Sequence, residues 1–145
     1  MDTLTLHQAQ QACRDVVVST AEAVDLQDYD ALIDLFAEDA LLIRPGGTEL
    51  RGHFEILAAY QSKDSNRMTH HLICNHQVKV LSPVLAESRC KVLLYATERT
   101  RALTSKGRLA DHTHQVGSML DELVLTNLGW KISRRRAWFE LLIEG

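Results

Sequence analysis

No apolar stretch of this sequence approaches the roughly 20 residues that a helix needs to cross a bilayer, so we expect no membrane segment. The three cysteines, Cys13, Cys74 and Cys90, show no CxxC spacing and cannot all pair with one another. The N-terminus carries no secretory h-region, and together these absences favour a reduced, cytoplasmic setting. The net charge of −3 gives no general attraction to nucleic acid phosphates or anionic lipid.

The composition is that of an ordinary globular protein. Of the 145 residues, 46% are hydrophobic and 24% are charged, and no segment repeats or is low in complexity. A chain of this length can bury enough surface to fold without a metal or a disulfide. We therefore predict a single domain over residues 1–145.

The first half of the chain carries helical periodicity. Apolar residues recur at three- and four-residue spacing from about Leu6 to Val24, which predicts one amphipathic helix. Asp28 is a plausible N-cap for a second helix, and a third is predicted from His53 to Ser62 with Phe54 among its buried residues. Between them a short apolar run, residues 40–44, reads as a strand.

The second half alternates apolar and polar residues over four long segments, which predict β-strands. Their approximate ranges are 68–81, 84–100, 110–126 and 129–142. Helices followed by strands predict an α+β fold in which three N-terminal helices pack on a strongly curved, mostly antiparallel sheet. Helices laid against the concave side of such a sheet leave a cavity unless large side chains fill it.

Four segments are similar to the nuclear transport factor 2-like superfamily, and to its SnoaL-like branch in particular. They are residues 29–40 (YDALIDLFAEDA), 47–52, 69–75 (THHLICN) and 125–135. This resemblance covers nearly the whole chain and implies a cone-shaped domain. It is far less specific for function, because the same fold hosts enzymes, binding proteins and structural subunits.

The resemblance also implies a catalytic pair. Some members are cofactor-free dehydratases, dehydrochlorinases and isomerases, in which an aspartate that ends the first helix orients a histidine on the long sheet. The matching positions here are Asp25 and His71. The arginine that some members carry on the penultimate strand meets Leu125 or Thr126, so the groups that polarise a substrate are expected to differ.

Strand alternation complicates the assignment of the histidine. The strand face that holds Leu72 and Cys74 is more apolar than the face that holds His71 and Ile73. Either a partner subunit covers the apolar face, or a bulge shifts the frame and His70 points inward. We favour the covered face and therefore predict a homodimer formed through the sheet.

Other residues are weaker candidates. His112 and His114 lie two apart beside Asp111, but no third ligand is apparent, so we predict a polar patch rather than a metal site. The arginines at 134–136 alternate across the last strand, so one or two of them face outward, which is typical of a solvated sheet face. Aromatic and polar side chains expected to contact a substrate are Tyr29, Phe54, Tyr95, His114 and Trp138.

The leading functional hypothesis is a small lyase or isomerase without a cofactor, acting on an apolar, oxygenated small molecule by general acid–base catalysis. One alternative is a non-catalytic protein that binds a small hydrophobic ligand. The other is a structural or assembly subunit resembling the small subunits of ring-hydroxylating dioxygenases. An enclosed cavity that contains both Asp25 and His71 favours the enzyme, whereas a filled cone favours the scaffold.

Overall fold

A long N-terminal helix lies across one face of a six-stranded sheet in the computed structural model, which describes all residues 1–145. The helices are α1 (Thr3–Asp25), α2 (Tyr29–Ile33) and α3 (Gly52–Gln61). The strands are β1 (Phe36–Ile43), β2 (Glu49–Arg51), β3 (Arg67–Ser82), β4 (Leu85–Glu98), β5 (Thr113–Thr126) and β6 (Gly129–Glu144). The predicted α+β class is confirmed, and the short strand β2 was not predicted. No helix is long and apolar enough to span a membrane.

The sheet is mixed, with the order β2-β1-β6-β5-β4-β3. Strands β3 to β6 form an antiparallel meander, as their tight separators predicted, and β1 joins its edge parallel to β6. The loop between β4 and β5 is longer than predicted. The predicted strands ended at residue 100 and began at residue 110, whereas β4 ends at Glu98 and β5 begins at Thr113.

Each of the first two helices begins at an aspartate whose side chain satisfies a free backbone N–H of the first turn. Asp2 accepts from the Thr5 N–H at 2.7 Å, and Asp28 accepts from the Ala31 N–H at 3.2 Å. Inward residues of α1 recur at three- and four-residue spacing, as predicted, and pack on the sheet. The buried ones are Ala9, Cys13, Val17, Thr20 and Ala23.

The third helix does not bury Phe54, contrary to the prediction. Ile56 is fully buried, whereas Phe54 is 86% exposed. Two residues along a helix correspond to a rotation of about 200°, so the two side chains point in nearly opposite directions. Ile56 and the half-buried Tyr60, four residues apart, form the packed side.

A row of buried side chains crosses the concave face of the sheet. Residues paired directly across five strands share that face, and all are less than 9% exposed. The row consists of Val78, Ser88, Asp121, Arg135 and Leu42. It includes one carboxylate and one guanidinium, so the core of this protein contains a buried ion pair.

Candidate functional site

A cavity of about 180 Å³ opens between the concave face of the sheet and the helices. Its walls are mostly apolar, and no aspartate or glutamate lines it. Apolar side chains come from α1, β1, β3, β4 and β5, and they include Val24, Leu42, Ile73, Val92, Leu94 and Met119. Polar and charged groups that line it are His71, Tyr60, Arg44, Lys63 and Arg135. Cavities that bind small molecules combine these features: an apolar wall and a few polar groups.

Asp25 and His71 are in direct contact at one wall of this cavity. Asp25 is the last residue of α1, and its Oδ1 atom lies 2.6 Å from Nδ1 of His71. The Thr69 hydroxyl donates to the same Oδ1 at 2.8 Å. Because a carboxylate only accepts, the Nδ1 atom carries the shared proton, and Nε2 is the nitrogen left for a ligand.

Asp25 stays ionised because of these hydrogen bonds. Burial acts to raise its pKa, but hydrogen bonds from the His71 ring and backbone, the charge of that ring and the bond from Thr69 outweigh it and leave the pKa lowered. The side chain is 16% exposed and that of His71 is 26% exposed, so the pair is largely shielded yet His71 still reaches the cavity.

A bulge in β3 explains why His71 rather than His70 points inward. The pairing with β4 shifts between Cys74 and Gln77, and Asn75 has a φ of 50°. Asparagine tolerates this left-handed conformation better than most residues. Before the bulge the odd residues face α1 and the cavity, and after it the even ones do, starting with His76. A bulge, the alternative that the sequence did not favour, therefore exists in this strand, but it lies beyond the histidines and leaves His71 inside and His70 exposed.

Arg135 is a cavity residue that the sequence reading missed. The sequence left open which of the three arginines at 134–136 faces inward. Arg135 is 6% exposed, and its Nε and Nη2 atoms donate to the two carboxylate oxygens of Asp121 at 2.7 and 2.8 Å. The reason is a second bulge: Leu123 pairs with Ile132 and Glu122 with Arg134, which leaves Ser133 as an extra residue. Ile132 and Arg135 consequently face the same side, which simple alternation does not predict.

Tyr60 is the second missed residue. Its hydroxyl forms no hydrogen bond with any protein group, and the residue lines the cavity. Burial raises the pKa of this hydroxyl, while the charges of Arg135 and Arg44 act in the opposite direction. A neutral phenol beside two guanidinium groups can donate a hydrogen bond to an oxygen of a ligand.

The five residues predicted to contact a substrate are scattered. Trp138 borders the cavity, but strand alternation sets its indole on the opposite face from Arg135, where Arg136 lies 5.2 Å from the ring centroid. Tyr29 lies behind Tyr60, with ring centroids 5.6 Å apart, and does not line the cavity.

Phe54, Tyr95 and His114 also lie outside the cavity. Phe54 projects outward from α3, for the helical reason given above. Tyr95 pairs with His70 across β3 and β4 on the face opposite His71, and its ring stacks on that of His114 at 4.8 Å. These three residues do not line this cavity, and their contact with a substrate stays a prediction. No group of three or more His, Cys, Asp or Glu side chains could hold a metal ion.

The fold agrees with the family comparison. Residues 7–136 match the model of the SnoaL-like domain, and the chain belongs to that family, within the nuclear transport factor 2-like superfamily. No curated protein matches the chain.

Solved structures resemble this chain over nearly its whole length. A proposed scytalone dehydratase from Novosphingobium aromaticivorans has a TM-score of 0.83 and 19% identity, covering 99% of this chain and 92% of its own. A type 2 hexachlorocyclohexane dehydrochlorinase, LinA, has a TM-score of 0.82 and 15% identity, with coverage of 99% and 93%. At these identities the two likenesses show the fold. A proposed aromatic ring hydroxylase from N. aromaticivorans is 26% identical, with a TM-score of 0.78 and coverage of 95% and 94%.

Proposed function

We propose that this protein is a cofactor-independent lyase or isomerase in which His71 transfers a proton and Asp25 orients and stabilises it. The observation that carries the proposal is the 2.6 Å contact between Nδ1 of His71 and Oδ1 of Asp25 at the wall of an apolar cavity. A dehydratase and a dehydrochlorinase among the structural neighbours support this reaction class.

The proposed reaction begins at Nε2 of His71, which hydrogen-bonds to no protein group. This nitrogen removes a proton from a carbon next to a carbonyl or a leaving group, and the Asp25 carboxylate stabilises the imidazolium that forms. In an elimination the carbon–leaving-group bond breaks as the double bond forms, and the proton on His71 passes to the departing group. In an isomerisation the same proton returns to another carbon.

Tyr60 and Arg135 are assigned to the developing negative charge. The unpaired Tyr60 hydroxyl donates to the substrate oxygen, and the Arg135 guanidinium, held by Asp121, supplies a fixed positive charge beside it. General acid–base catalysis by a positioned histidine contributes about 10²–10⁴-fold, so these groups and the shape of the cavity must provide the remainder.

Solvent deuterium exchange tests the proposal without a known natural substrate. Wild-type protein is incubated in D₂O with a panel of small cyclic ketones and β-hydroxy or β-halo carbonyl compounds, and exchange or elimination is followed by NMR. We expect His71→Gln to lower the rate by about 10²–10⁴-fold and the matched control His70→Gln to keep it, because His70 lies on the exposed face. A His71→Gln variant as fast as wild type contradicts the mechanism. A panel that binds without reacting supports the ligand-binding alternative.

We also propose that the protein forms a homodimer through the convex face of the sheet. Four apolar residues in register cross β3 to β6 on the face opposite His71: Leu72, Leu93, Val116 and Leu141. The two outer members, Leu72 and Leu141, are 49% and 58% exposed. An exposed apolar row of this kind is typical of a contact surface.

Light scattering at micromolar concentration tests the dimer. We expect Leu141→Asp to dissociate it, and Leu128→Asp, on an exposed turn, to leave it intact. A monomeric wild-type protein contradicts this proposal and leaves the proposed chemistry untouched.

A further inference from the structure

Two cations line the cavity without a carboxylate partner. Arg44 immediately follows β1, and Lys63 follows α3 by two residues. Neither forms an ion pair with any aspartate or glutamate, in contrast to Arg135, whose guanidinium is paired with Asp121. Local positive charge is thus concentrated at one end of the cavity in a protein whose net charge is −3.

These two cations act on one another. Partial burial lowers the pKa of Lys63, and the charge of Arg44 lowers it further. The ammonium lies 4.8 Å from the centroid of the Tyr60 ring, which stabilises a cation only weakly. Two like charges held beside an apolar space are stabilised when an anion binds between them, so this end of the cavity is suited to an anionic group.

The rest of the cavity limits what the anion can be attached to. A volume of about 180 Å³ is close to that of an engineered apolar cavity, about 150 Å³, that accommodates one benzene ring. The remaining walls are the apolar side chains of β3, β4 and β5, with Ile73, Val92 and Met119 among them. The body of the ligand is therefore apolar and about one ring in size.

We propose that Arg44 and Lys63 form a carboxylate subsite, so that the substrate is a compact apolar carboxylate whose reacting carbon faces His71. This refines the proposed function by naming its substrate class, and it rests on that function only for the reacting end of the ligand. The subsite itself depends on binding alone.

A carboxylate fits this subsite better than a phosphate for an electrostatic reason. The cavity is lined by the C-terminal end of α3, from Tyr60 onward, and by the C-terminal part of α1. These helix ends carry partial negative charge, which disfavours a dianion. Dianion sites commonly use the N–H groups of a helix N-terminus instead.

The subsite and the proton-transfer pair are supplied by different parts of the sheet around one cavity. Arg44 follows β1 and His71 is on β3, four strand spacings apart in the sheet order. The sheet curves so that Arg44, Lys63 and His71 all line the same cavity, and the direct path across the cavity is much shorter than the path along the sheet. The carboxylate therefore anchors and orients the substrate while a different carbon reacts.

Calorimetric titration with matched probe pairs tests the subsite. Benzoate, phenylacetate and cinnamate are each compared with the corresponding uncharged amide, and phenyl phosphate is titrated as a further probe. We expect at least one acid to bind at least about tenfold more tightly than its amide, with added salt weakening the binding. The preference should disappear in the Arg44→Gln/Lys63→Gln double variant. It should persist in Lys79→Gln, which removes an exposed lysine outside the cavity.

Each contrary result overturns the assignment. Equal binding of acids and amides, an acid preference that survives in the double variant, or no binding of any acid up to about 10 mM would refute the subsite. Tighter binding of phenyl phosphate would refute the choice of carboxylate. The His71→Gln variant separates the two proposals, because it should bind the acids as wild type does even when proton transfer is lost.

Discussion

Asp25 bonds to both the ring and the backbone of His71: its Oδ1 atom lies 2.6 Å from Nδ1, and its Oδ2 atom accepts from the His71 N–H at 2.9 Å. The two contacts fix the position of the strand and the direction of the imidazole with a single carboxylate. The C-terminus of α1 is thereby joined to the N-terminal part of β3, so the predicted catalytic pair is also a contact between helix and sheet.

The first prediction concerns the pH dependence of this contact. The pKa of Asp25 is lowered in the folded protein, so the unfolded chain binds more protons at acidic pH and the stabilisation by the carboxylate is lost as the pH falls through the folded pKa. Asp25→Asn should lower the free energy of unfolding by about 1–3 kcal/mol at neutral pH and by progressively less below about pH 4. Urea unfolding across this range measures it.

Asp39→Asn is the matched control, because Asp39 is exposed and forms no ion pair or side-chain hydrogen bond. The free energy of unfolding of Asp39→Asn should stay close to that of the wild type at every pH. If Asp25→Asn lowers the free energy of unfolding by the same amount at neutral and acidic pH, the charge of Asp25 does not stabilise the fold.

A second prediction follows from the buried pair between Asp121 and Arg135. Their side chains are 1% and 7% exposed, so removing the carboxylate leaves a guanidinium without a countercharge. Asp121→Asn should destabilise the protein by roughly 3–5 kcal/mol, whereas Asp121→Leu combined with Arg135→Met should recover most of that loss. Denaturant unfolding gives both values, and a double variant as unstable as the single one would contradict this account.

The third prediction addresses the bulge at Asn75. A β-branched residue is strained at a φ of 50°, so Asn75→Val should cost about 1–2 kcal/mol, and Asn75→Gly should be nearly neutral. Gln77→Val, at an exposed position of the same strand, is the control and should not destabilise it. Thermal unfolding of the three variants decides, since equal losses in Asn75→Val and Gln77→Val would show that the backbone angle is unimportant.

The fourth prediction concerns Gly117, which lines the cavity. A Cβ atom at this position would lie 2.6 Å from the carbonyl oxygen of Trp138, a backbone atom that cannot move alone. Gly117→Ala should therefore destabilise the protein by about 1–3 kcal/mol and weaken binding of any ligand that occupies the cavity. Calorimetric titration alongside unfolding measures both effects, and an unchanged affinity would show that the ligand does not approach this strand.

The sequence predicted the order of elements well because that order depends on local signals. Long alternating segments and recognisable turns indicated the four-stranded meander, and three- and four-residue spacing indicated the helix that covers it. The helix ends were close to their predicted places because aspartate caps such as Asp28 act within one turn. Fold class was therefore predictable without any knowledge of contacts between distant residues.

The inner wall of the cavity was harder to predict because two bulges change which residues face it. Alternation alone puts Ile132 and Arg135 on opposite faces, and only the extra residue at Ser133 brings both inward. Tyr60 was one of several plausible buried residues, and nothing local distinguishes it from Phe54 on the same helix. Asp25 and His71 could be paired only through the family resemblance, since 46 residues separate them.

The bulge at Asn75 divides β3 into two sections that contact different parts of the protein. Upstream of the bulge, Thr69 bonds to Asp25, and His71 and Ile73 line the cavity. Downstream, Val78 belongs to the buried row that crosses the sheet. Substitutions in β3 before the bulge can therefore change the cavity wall without disturbing the packing of the part after the bulge. One continuous strand can in this way diversify in chemistry at one end and remain constant in architecture at the other.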